Sequence, residues 1–146
     1  MSEETIWIFL LNIASSLVLT GAIWMVQLNG YNALARIHRE DFKKHHRSLA
    51  GRALLLILPL MVLELVTSIY LVIYTETLLL YHLTGLIMVI AIWISTLLLH
   101  LPMQLRLHKG FDEELVHKLR DTNWLRVILW SSKSVISLQV LLEWMT

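Results

Sequence analysis

Glu64 and Lys133 each stand as the lone charge in a long apolar stretch, ALLLILPLMVLELVTSIYLVIYT (residues 53–75) and VILWSSKSVISLQVLL (residues 127–142). A charge at the centre of a bilayer costs on the order of 2.5–3.5 kcal/mol even on lenient scales, so such residues face protein and usually pair. At a rise of about 1.5 Å per residue, Glu64, about eleven residues in from the basic end of its run, and Lys133, about nine, differ in depth by only ~3 Å. The spacing predicts a buried ion pair or hydrogen bond between them. Thr67 and Ser68 beyond Glu64, and Ser137 beyond Lys133, stand where they can fill the remaining hydrogen-bonding capacity. Ser15 and Ser16 come to a similar depth. Two roles fit. The pair is polar glue that fixes the packing of two helices, or it is functional, with Glu64 carrying a proton or orienting a ligand and Pro59 freeing a backbone carbonyl one turn earlier, so that Glu64 and Lys133 count as catalytic candidates.

A second group gathers near the basic ends of the apolar runs: Gln27, Asn29, His45, His46, Arg52, His100, Gln104, Asn123 and Arg126. His100 follows three leucines. Its imidazole is the leading candidate for acid/base work or for an axial ligand to haem. Arg126 would anchor a carboxylate or propionate, with Gln27 and Asn123 completing a substrate-binding set. A metal site would draw on His45, His46 and His100. The stretch RIHREDFKKHHRSLAGR (residues 36–52) is not a self-contained metal site, because His38 and His45, if helical, stand two turns or ~10 Å apart. A buried haem held by two histidines is disfavoured as well. His82 and His100 sit at opposite ends of one run, and the other apolar runs carry no His. A haem on a single His, or a metal ion at the inner mouth, stays open.

The elements that must position these residues are transmembrane helices. The chain is 57% apolar and only 16% charged, with a mean hydropathy of +0.66, which excludes an ordinary soluble domain. No Asp, Glu, Lys or Arg occurs in 5–35 or in 77–105. Crossing the hydrocarbon takes about 20 helical residues, so the expected fold is all-α, a single domain over 1–146 with spans at about 5–28, 53–75, 78–101 and 124–144. The first run is too long, and its leader too acidic, for a cleaved signal peptide. There is no cysteine, so thiolate metal sites, disulfides and cysteine nucleophiles are excluded. Every Lys and Arg except Lys133 falls in the connectors 29–52 and 102–126. By the positive-inside rule both connectors face the cytoplasm and both termini lie outside, in a multi-pass protein of the cell inner (plasma) membrane. The lipid bilayer is the expected partner, and no nucleic acid is.

The connectors carry structure of their own. Residues 33–50 read as a helix lying on the membrane surface or as an inward extension of the second span. The third span kinks at Pro102 and stops at Gly110. Asp112 caps a short helix, Glu113–Arg120, with Glu113–His117 and Glu114–Lys118 pairs, and Thr122 caps the fourth span.

The segment LRDTNWLR (residues 119–126), with its Asn-x-x-Arg step from Asn123 to Arg126, together with Trp24-x-x-Gln27, resembles small four-helix bacterial membrane proteins of unknown function, including the anthrone-oxygenase-like group. The second span, with Pro59 and Glu64, has no counterpart in that resemblance. The resemblance implies a lipophilic small-molecule substrate handled inside the bundle without an obligatory metal. The leading expectation is therefore a cofactor or small-molecule site for redox or oxygenase-like chemistry, built from His100, Gln27, Asn123 and Arg126. The alternative is a non-catalytic subunit that assembles with itself or with a larger complex, using the small residues Ala14, Ser15, Ser16, Gly21 and Ala22 for close helix approach. A third reading is a proton or ion path along Glu64.

Overall fold

The computed structural model describes residues 2–145, which are helical nearly throughout and contain no strand. Helix α1 (Glu3–Met25) passes through a π-helical turn, Val26–Gly30, into α2 (Tyr31–Arg36). Next come α3 (Phe42–Tyr74), α4 (Leu79–Ser95), a second π-helical turn at Thr96–His100, α5 (Leu101–Leu107) and α6 (Glu113–Met145). Read as continuous rods, these are four membrane-length helices of 34, 33, 29 and 33 residues.

Local chemistry sets the ends. The Ser2 hydroxyl accepts the Thr5 N–H and places Glu3 and Glu4 against the positive end of the α1 dipole. Asp112 Oδ1 accepts the Leu115 N–H at 3.1 Å, the expected cap of α6, and the expected His117–Glu113 pair is present at 3.9 Å. Between α3 and α4 the chain turns within a few residues, with Leu78 in the left-handed region at φ 57°.

Three boundaries differ from expectation. Residues 33–50 are not one surface helix: from Phe42 they are the expected inward extension of the second span, α3, while 33–36 end α2 and a turn at 37–41 separates the two. Tyr31, Leu34 and Phe42 pack with Met103, Leu107, Leu115, Val116 and Leu119 in a cluster that closes the basic end, a burial that a membrane surface cannot supply. Residues 113–120 are the first turns of α6 itself; Thr122, in place of capping, donates to the carbonyls of Lys118 and Leu119. The third rod departs from α-helix at the π turn before Pro102 and ends at Leu107, short of Gly110. A proline lacks the N–H that would close the preceding turn, and the wider π turn absorbs that gap.

Rods α1 and α4 each pack against both α3 and α6, so α3 and α6 face each other across a diagonal. The polarity is that of a membrane bundle. Asn12, Ser16, Glu64, Asn123 and Lys133 are buried, while Leu55 and Leu80 are 81% and 74% exposed. Lipid solvates such an exterior, and only the interior satisfies polar groups. Along the axis three apolar clusters alternate with two polar layers. Phe9, Ile13, Leu71 and Val140 pack at the acidic end, Leu19, Ile23, Met61, Ile92, Val127 and Trp130 lie in the middle, and the Phe42 cluster closes the basic end.

Candidate functional site

The central polar layer brings Glu64 and Lys133 together as expected, Nζ to Oε1 at 3.1 Å, with both side chains almost fully buried. The pair lies on the α3–α6 diagonal and α1 completes it. Lys133 Nζ also donates to Asn12 Oδ1 at 3.1 Å and to the Ser16 hydroxyl. Ser16 bonds Glu64 Oε1 at 2.7 Å, and Trp130 Nε1 donates to Glu64 Oε2 at 3.0 Å. Asn12 Nδ2 faces the Glu64 carbonyl, Thr67 Oγ1 and Ser68 Oγ at 3.2, 2.8 and 2.9 Å. The ammonium thus has three partners for its three N–H groups. Thr67 and Ser68 serve Asn12 rather than the Glu64 carboxylate, and Ser137 lines a cavity of about 20 Å³ with His82 and Lys133, room for one water molecule. Pro59 and Leu55 are exposed, so the carbonyl that Pro59 frees faces lipid and not this network.

Asn12 and Trp130 are the members that sequence reasoning missed. Asn12 is the sole amide in the middle of an uncharged run, at i−4 from Ser16 on the same helix face. Trp130 stands at mid-membrane depth, where an interfacial role is unavailable and an indole N–H needs a partner.

The second polar layer lies beyond the Trp130 cluster, toward the basic end, and both π turns flank it. Gln27 sits on the first and His100 on the second. Asn123 Nδ2 donates to Gln27 Oε1 at 2.8 Å, and Gln27 Nε2 donates to the Arg120 carbonyl at 3.3 Å. His100 Nδ1 lies 3.1 Å from the Ser95 carbonyl. A carbonyl only accepts, so Nδ1 carries the hydrogen and Nε2 presents a lone pair. Three buried atoms here have no hydrogen-bond partner among the described residues: His100 Nε2, Asn123 Oδ1 and Arg126 Nε. The Arg126 guanidinium lies over the Trp130 ring, 5.2 Å from its centroid, and acts electrostatically on His100 and Tyr31. No carboxylate among the described residues forms an ion pair with it.

The structure therefore unites Gln27, Asn123, Arg126 and His100 at one level and separates them from Glu64 and Lys133 by an apolar layer. The expected metal set does not assemble. His45 is exposed with its ring turned to the Asp41 carbonyl, whereas His46 is buried, stacked on Phe42 and 2.8 Å from Gln104 Oε1. Adjacent residues on a helix point about 100° apart, which sends the two rings to different sides. Among the described residues no group of three or more His, Asp or Glu could hold a metal ion. The arrangement does not fit haem either. His100 is 2% exposed in a packed bundle, and it lines neither the cavity of about 20 Å³ beside Lys133 nor the groove of about 210 Å³ between α5 and α6. No family model, curated protein or solved structure matches the chain.

Proposed function

We propose that the inner polar layer, packed shut in this structure, opens beside its two π turns to bind a small lipophilic molecule bearing an acidic oxygen, a carboxylic acid or a hydroxyaryl compound, and that His100 handles its proton. The observation that carries this reading is the partly buried Arg126 guanidinium, whose Nε is buried and unpartnered and which has no countercharge among the described residues. An uncompensated charge in a low-dielectric interior is costly, and an anionic oxygen is the group that relieves it. The other unmet atoms agree. His100 Nε2 accepts, so an O–H donates to it and gives up its proton there. Asn123 Oδ1 accepts a second donor, and the oxyanion that forms is held by Arg126 Nε. Such a deprotonation would precede the oxygenase-like chemistry that the resemblance implies. Two π turns meeting at this layer also suit a site, since these turns concentrate at functional positions. By the positive-inside rule the layer opens toward the cytoplasm.

Glu64 and Lys133 serve in this reading as the scaffold behind the site, because their network is already saturated. The competing readings lose support. The Trp130 cluster interrupts a proton path between Glu64 and the basic end. Of the small residues on α1, Ser15 and Ser16 turn into the bundle, and only Ala14, Gly21 and Ala22 remain at its surface for a second subunit.

The test is a titration of the protein in nanodiscs with 1-hydroxy-2-naphthoic acid, a fluorescent probe with both a carboxylate and a hydroxyl. The wild type should bind saturably. R126Q should lose roughly ten- to a hundredfold in affinity, the worth of a charge-assisted hydrogen bond, and H100F should abolish the shift of the probe to its deprotonated spectrum. Equal binding by wild type and R126Q, or no binding by the wild type, would overturn the proposal.

A further inference from the structure

On the outside of the bundle, away from the inner polar layer, a groove of about 210 Å³ runs between the π turn with α5 and the start of α6. Its walls are apolar, with Leu98, Pro102 and Met103 on one side and Leu115 on the other. Arg106 and Lys118 stand at its rim. From Leu98 to Arg106 the groove rises about 12 Å along the helix axis. Arg106 is the first charge after the run 77–105 that carries none. The wall from Leu98 to Met103 therefore lies on the hydrocarbon side of Arg106 and Lys118, while Leu115, three residues before Lys118 on a helix running the other way, lies on their far side.

Both cations are exposed, and neither is bound to a carboxylate among the described residues. The expected Glu114–Lys118 pair does not form. Nearby charges behave otherwise, since Arg120 bonds Asp121 at 3.1 Å and His117 faces Glu113. The Thr122 hydroxyl, also in the groove, is turned back to the backbone and does not compete.

We propose that this groove is a binding site for an anionic phospholipid of the cytoplasmic leaflet, with the phosphate between Arg106 and Lys118 and one acyl chain along Leu98, Leu99, Pro102 and Met103. The volume is below the 300–1,000 Å³ range of drug-sized pockets, but it need hold only part of one chain. Charge complementarity selects an anionic headgroup over a zwitterionic one, and basic pockets between helices at the cytoplasmic side are suited to such headgroups.

The experiment is native mass spectrometry of the full chain released from micelles containing phosphatidylglycerol and phosphatidylcholine of identical chains, with soluble glycerol phosphate as a third ligand. The wild type should retain phosphatidylglycerol selectively. R106Q/K118Q should lose roughly 30-fold of that preference, from about five- to sixfold per cation near the surface. K43Q/K44Q, which removes the same charge from the other connector, should keep it. Glycerol phosphate should not bind, which separates a lipid site from a phosphate site. Equal losses in the two double variants would reduce the effect to diffuse charge and overturn the proposal. Equal retention of both lipids by the wild type, or binding of glycerol phosphate at lipid-like affinity, would overturn it as well.

Discussion

Helix α6 carries two cations seven residues apart, Lys133 fully buried and Arg126 partly buried, and the bundle treats them in opposite ways. Lys133 has a carboxylate, an amide oxygen and a hydroxyl within hydrogen-bond reach, drawn from α1 and α3. Arg126 has an aromatic face against it, an unmet Nε and, among the described residues, no carboxylate. The difference separates scaffold from site. A network whose donors and acceptors are all used contributes to one packing and offers nothing to a ligand. A layer with a free lone pair on His100, a free amide oxygen on Asn123 and an unneutralised guanidinium is built to be completed by something else.

The largest effect that probes this contrast comes from Lys133. K133M leaves the Glu64 carboxylate buried without its cation and should destabilise the bundle by about 3–5 kcal/mol. E64L/K133M removes both charges and should recover much of that loss, as replacement of a whole buried pair by apolar groups often does. Unfolding in mixed detergent micelles, read by circular dichroism, gives the coupling directly. A double variant as unstable as the sum of its singles would show that the pair is not the stabilising unit, and the contrast with Arg126 would fail.

Much of this was legible in the sequence, for physical reasons. Uncharged runs longer than the bilayer fix the number of rods, and two lone charges at one depth fix Glu64–Lys133. The co-location of Gln27, His100, Asn123 and Arg126 follows from counting residues from the basic boundary. What was not legible depends on side-chain direction and on tertiary burial. Depth alone cannot say that His46 turns inward while His45 turns to solvent. It cannot say that Asn12, one polar residue in a long apolar run, is the hub of the central network. The ends of the rods were misplaced because Phe42, Leu115 and Leu119 sit among charges, and only packing shows that they form a core. The π turns left no sequence signal beyond Pro102, and the one at Val26–Gly30 has no proline near it.

Trp130 touches both halves of the comparison, its N–H on Glu64 and its ring under Arg126. W130F keeps the ring and removes the donor. It should cost about 1.5–3 kcal/mol, the worth of a hydrogen bond to a charged group, and leave the affinity for the naphthoate probe within about twofold, far below a tenfold step. If W130F weakened binding as much as R126Q, the two layers would act as one site, with Glu64 reaching the ligand through the indole.

The smallest stability effect should come from Arg126, and its smallness is the sharpest statement of the difference. R126Q removes a partly buried charge that no carboxylate among the described residues neutralises, so the unliganded bundle should change by less than about 1 kcal/mol or gain stability. Measured with a saturating concentration of the probe, the same variant should fall below the wild type, because only the wild type gains the stabilisation that a ligand confers by binding the folded state. The order of the two proteins thus reverses on adding ligand. A loss of 3 kcal/mol or more in R126Q without ligand would place Arg126 beside Lys133 as a structural cation, partnered inside the protein, and would remove the ground for distinguishing the layers.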